Sequence, residues 1–100
     1  MHVEMSALIE LTNEKGIPLE QLIQAIEIGV LTAYNQTEEA KRHALAHLDR
    51  ESGEISIFIP QFNELGEKIA DEPDMPAGFS RVATSTARQI IKLKMRETND

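Results

Sequence analysis

The chain is 100 residues long, with ten basic and seventeen acidic side chains, a net charge of −7, four aromatic residues and no cysteine. That length suits one domain around a single aliphatic core, and the composition excludes disulfides and thiol chemistry. No run reaches the roughly 18 apolar residues of a membrane span, and no basic region precedes an apolar block at the N-terminus, which fits a cytoplasmic protein.

Residues 3–15 read as a first helix. Met5, Leu8, Ile9 and Thr12 share a face with Leu11 beside it, and Lys15-Gly16 offers a terminal cation and a left-handed cap. Pro18 suits the first position of a second helix that runs to about Asn35, with Leu19, Leu22, Ile23, Ile26, Val30, Ala33 and Tyr34 on its apolar side. Gly29 lies at the edge of that side and costs about 1 kcal/mol relative to alanine, so a neighbouring element is expected to approach closely there. Ile28 and Leu31 point elsewhere, as core if the helix is covered on two sides and as a contact patch if it is not. Asn35 to Arg42 reads as a connection or a frayed helix end.

Two strands follow. Ala44, Ala46 and Leu48 alternate with Leu45, His47 and Asp49, and Ile55, Ile57 and Ile59 alternate with Ser56, Phe58 and Pro60. Between them, Asp49-Arg50-Glu51-Ser52-Gly53 suits a type I turn closed by a left-handed glycine. Pro60 marks a strand end or an edge. A turn at Asn63-Glu64-Leu65-Gly66 leads to a short strand from Glu67 to Asp71, and an acidic, proline-broken loop over 71–76 delivers the chain to Gly78. The last helix runs from there to about Glu97, with Ser80 or Thr84 capping its start. Thr98-Asn99-Asp100 is a weak ending, as of a chain cut from a longer protein. The fold class is α+β: helices packed on a small three-stranded antiparallel sheet, ending in a long C-terminal helix.

That last helix is the informative one. At about 100° per residue, Phe79, Val82, Ala83, Thr86, Ile90 and Leu93 gather on one face, and Arg81, Ser85, Arg88, Lys92 and Arg96 on the other. Residues 81–100 carry a net +3 and residues 1–80 a net −10. Contact with an anionic partner must therefore be local, and Arg81 stands at a helix start, where the dipole disfavours a cation. Catalytic chemistry finds no support. For the acidic pairs Glu38/Glu39 and Asp71/Glu72 no nearby basic or hydroxyl partner sets up acid–base work, and Thr84-Ser85-Thr86 has no histidine near it in sequence. His43 and His47 read as exposed strand residues about 13 Å apart, too far for one metal ion. No enzyme, metal or cofactor is expected.

Gly78-Phe79-Ser80-Arg81-Val82-Ala83-Thr84-Ser85-Thr86-Ala87-Arg88-Gln89-Ile90 and Leu48-Asp49-Arg50-Glu51-Ser52-Gly53 resemble motifs of the N-terminal domain of the bacterial transcription factor NusA. Leu22-Ile23-Gln24-Ala25-Ile26-Glu27, Ala33-Tyr34 and Lys94-Met95-Arg96-Glu97 support the resemblance, which covers all 100 residues and looks most like compact versions of the domain. It implies a single RNA polymerase-binding domain over 1–100, with the usual RNA-binding modules following outside this chain. Docking near the polymerase β-flap and RNA exit channel, with effects on pausing, termination and antitermination, is implied as well. The implied contacts to polymerase and nascent RNA are Arg81, Arg88, Lys92 and Arg96, with Ile28, Leu31 or Met95 as an apolar docking patch. Where some family members carry a lysine cluster, this chain has Asn35, Gln36 and Thr37 followed by Glu38 and Glu39, so docking on polymerase is the feature that carries over. The expected state is a monomer. The competing expectation is a self-associating, antitoxin-like regulatory module that uses the last helix as a dimer seam.

Overall fold

Leu22, Ile23, Ile26, Val30 and Tyr34 recur along one side of a helix, and all five are fully buried, so that stripe sets the centre of the fold. The computed structural model describes residues 3–97. Its elements are α1 (Met5–Lys15), α2 (Leu19–Asn35), β1 (Leu45–Leu48), β2 (Ile55–Phe62), β3 (Lys68–Pro73) and α3 (Phe79–Glu97). The strands form one antiparallel sheet in the order β1-β2-β3, with Leu48 opposite Ile55 and Phe58 opposite both Leu45 and Pro73. This is the expected α+β architecture with a C-terminal helix. Thr98 to Asp100, the weak ending of the sequence, lie outside the described residues.

Leu48, Ile55, Ile57 and Ile59 bury one face of the sheet, as their alternation requires. α1 ends where Gly16 adopts φ 71 and donates its N–H to the Thr12 carbonyl. Gly53 takes φ 77, and its own carbonyl accepts the Val3 N–H at 2.6 Å, which ties the N-terminal segment to the β1–β2 turn. α3 lies along α2 at Gly29, where an added Cβ would collide with Ile90 Cδ1 and meet Thr86 Cγ2 at 3.5 Å. The close approach expected at that glycine is therefore present.

Several boundaries and faces differ from the sequence reading. β3 begins at Lys68 and continues through Glu72 and Pro73, which the sequence suggests are loop. It is an edge strand, where a missing N–H is tolerated. Pro60 sits inside the central strand rather than at its end, but β1 stops at Leu45 opposite Phe58, so at Pro60 the strand has a neighbour on one side only. His43 precedes β1 with φ 64, and only His47 is a strand residue. Neither Ser80 nor Thr84 caps α3, because the helix already starts at Phe79, and the Thr84 hydroxyl donates within it to the Ser80 carbonyl at 2.9 Å. Ile9, Val82 and Leu93, placed on buried faces by periodicity, are 40%, 46% and 55% exposed. The buried side of α3 runs through Phe79, Ala83 and Ala87, since small residues allow the backbones to come close and leave the larger ones at the rim.

Candidate functional site

Three cations outside α3, Lys41, Arg50 and Lys68, are held in ion pairs. Arg50 donates from Nε to Glu20 Oε2 at 2.8 Å, from Nη2 to Glu20 Oε1 at 2.6 Å and from Nη1 to the Leu48 carbonyl at 2.9 Å. This fork raises the Arg50 pKa and lowers that of Glu20, each chiefly through their shared hydrogen bonds. Glu27 accepts the Leu48 N–H at 2.9 Å and lies 3.5 Å from Arg50 Nη1 and 3.6 Å from His47 Nδ1. The Asp49 carboxylate accepts the N–H groups of Glu51 and Ser52, which lowers its pKa. Leu48-Asp49-Arg50-Glu51-Ser52-Gly53 is thus a clamp between the β1–β2 turn and α2. Lys41 pairs with Asp74 at 3.7 Å and Lys68 with Asp71 at 3.0 Å.

The α3 cations differ. Arg81, Arg88, Lys92 and Arg96 are all exposed, and among the described residues none of the four enters an ion pair. They fall within about 80° around the helix axis and span about 22 Å along it, so they form one ridge. Arg81 is the third residue of the helix, and no acid in the first turn offsets it. Ser80, Arg81, Thr84, Ser85 and Arg88 line a shallow hollow of about 320 Å³ on this ridge. Arg88 also borders a more apolar groove of about 370 Å³ between α1 and α3, formed with Ala7, Leu8, Leu11, Ala87 and Ile91. Among the described residues no group of histidines and carboxylates could hold a metal, and no helix is long and apolar enough to cross a membrane. What the ridge can do is hold an anionic surface by charge and hydroxyl hydrogen bonds.

The start of α3 is fixed by a buried clasp. The Tyr34 hydroxyl donates to Asp74 Oδ2 at 2.5 Å and accepts the Lys41 N–H at 2.9 Å, while its ring meets Phe79 edge-on at 5.8 Å. Burial and the bond to Asp74 both raise the Tyr34 pKa.

Comparison with known proteins bears on this arrangement. The family "NusA N-terminal domain" matches residues 5–62. The chain belongs to the NusA N-terminal domain family. The transcription termination/antitermination protein NusA of Mycobacterium tuberculosis is 31% identical over 100 residues, covering 100% of this chain and 29% of that protein. The NusA protein of Bacillus subtilis is 26% identical over 117 residues, covering 93% and 31%. This chain therefore spans less than a third of the length of those relatives. The solution structure of the N-terminal domain of NusA from B. subtilis superposes with a TM-score of 0.73 at 25% identity, covering 95% of this chain and 94% of that one.

Within this NusA-family domain the structure groups Arg81, Arg88, Lys92 and Arg96 as the sequence suggests. The apolar patch does not assemble in the same way. Ile28 is 67% exposed, but Leu31 and Met95 are half-buried against the core. Sequence reasoning missed the α1 side of the groove beside Arg88. It also missed Phe62, Leu65 and Ile69, which are 57%, 82% and 64% exposed on the β2–β3 hairpin. Their signal was available as large apolar residues set in an acidic, turn-rich stretch that no core periodicity explains.

Proposed function

We propose that this chain is the RNA polymerase-binding domain of a transcription termination/antitermination factor, docking near the β-flap and RNA exit channel to modulate pausing and termination. One observation carries the reading: among the described residues, an acidic protein leaves Arg81, Arg88, Lys92 and Arg96 without an ion pair on one helix face while Lys41, Arg50 and Lys68 are paired. The names of the NusA relatives supply the transcriptional setting. Nascent RNA is the anion that fits the ridge, held through phosphates without base readout, because sequence discrimination needs base-edge contacts that a row of separated cations does not make. The domain acts as a monomer and performs no catalysis.

The test uses the full-length protein in a reconstituted transcription assay. Arg81→Ala shortens the pause lifetime, and each lost phosphate contact flattens the salt dependence of RNA affinity by about one unit of slope. The substitution leaves stability within about 0.5 kcal/mol, since the side chain is exposed and, among the described residues, in no ion pair. An unchanged lifetime removes Arg81 from the mechanism. A second reading, self-association through α3, is favoured by one observation, the exposure of Val82 and Leu93 along that helix. A monomer's sedimentation coefficient, independent of concentration, would exclude it.

A further inference from the structure

Resting on the docking reading above and deepening it, we propose that the β2–β3 hairpin tip is the domain's apolar anchor on RNA polymerase. It seats Phe62, Leu65 and Ile69 in an apolar pocket whose rim is lysine or arginine. β3 is exposed along its whole length, and its sheet partner is β2 alone, so the distal hairpin stands clear of the core. Turn tips ordinarily carry small polar residues. Here Leu65, at 82% exposure, occupies the tip, with Phe62 and Ile69 on the strands either side.

The tip is also ordered before any partner arrives. Asn63 Oδ1 accepts the Leu65 N–H at 2.9 Å and the Glu67 N–H at 3.0 Å, and Asn63 Nδ2 donates to Glu67 Oε1 at 3.2 Å. A pre-ordered apolar tip binds without a large entropy loss, which suits an anchor.

Charge decides the occupant. Residues 59–74 hold five acids and one lysine, and that lysine, Lys68, is paired with Asp71 at 3.0 Å. Glu64 and Glu67 therefore flank Leu65 at the tip with negative charge, and Glu72 adds to it further along β3, opposite Ile59. RNA and anionic lipid are repelled by such charge, and a second copy docking tip to tip would bring two acidic tips together. A protein pocket with cationic edges remains. The domain then has two working surfaces of opposite sign, the hairpin for protein and α3 for RNA.

The experiment titrates labelled chain with purified core RNA polymerase of the source organism at several salt concentrations. Leu65→Ser weakens binding about fivefold or more, and Phe62→Ser/Leu65→Ser/Ile69→Thr at least about tenfold. Glu64→Lys also weakens it. The Leu65 side chain is largely in solvent, so the single variant keeps the test valid if the triple one fails to fold. Wild-type affinity in a folded Leu65→Ser chain overturns the anchor and leaves docking intact. Failure of the unmodified chain to bind polymerase overturns the docking reading and the anchor with it. Binding to phosphatidylglycerol vesicles, or a dimer abolished by Leu65→Ser, assigns the tip to another occupant and overturns the proposal as well.

Discussion

Tyr34→Phe removes one oxygen atom and should destabilise the domain well beyond a surface substitution. Tyr34 is the only tyrosine and is fully buried. Its hydroxyl joins the loop before α3, through Asp74, to the connection after α2, through the Lys41 N–H. A hydrogen bond to a carboxylate contributes about 1.5–3 kcal/mol, and an amide left without its acceptor adds about 1 kcal/mol. The ring keeps its volume and its edge contact with Phe79, so no cavity term enters. The expected loss is about 2–4 kcal/mol, or roughly 8–30 °C in Tm for a domain of this size. The pH dependence follows from the direction of the shift. A pKa raised above the ordinary 10 means the folded state favours the neutral phenol, so this stability is complete below about pH 10 and is lost as pH rises through the folded value. Circular dichroism on urea or heat gives the stability, and phenolate absorbance reports the lone tyrosine directly. A variant within 0.5 kcal/mol of wild type, or one that keeps the alkaline loss, would refute the clasp.

Gly53→Ala should cost about 2–4 kcal/mol, because the new Cβ meets the Val3 carbonyl and the backbone holds φ 77. Urea denaturation checks this, and a loss below 1 kcal/mol would show that the N-terminal segment yields freely. Asp49→Asn should flatten the acid limb of the stability curve. The lowered pKa of Asp49, due first to the Ser52 N–H and then to Glu51, gives stability that is present above the ordinary value of 3.8 and lost as pH falls through the folded one. Stability profiles that coincide between pH 2 and 5 would count against that turn.

How far the sequence reveals the fold depends on how one-sided each segment is. α2 is legible because five core residues keep helical spacing, and β1 and β2 because Leu48, Ile55, Ile57 and Ile59 alternate with less buried positions. β3 is legible in place, from the turn at 63–66, but not in extent, since all six of its residues are exposed and a strand with no buried face has no period to mark its end. α3 is legible on its charged side and misjudged on its apolar one. Periodicity finds Phe79 and Ala83 but adds the exposed Val82 and Leu93, whereas packing buries Ala87 and seats Thr86 and Ile90 beside Gly29. The hairpin tip escapes for a related reason: three apolar residues displayed to solvent look like failed core until burial is known.

The notch at Gly29 works as a keyway for α3. Ile90 is seated where any side chain on α2 would stand, so the last helix can neither slide by a residue nor roll in place without leaving its slot. A slip of one position would turn every guanidinium on its back through about 100°. A hydrogen atom on one helix therefore sets the compass bearing of four positive charges on another.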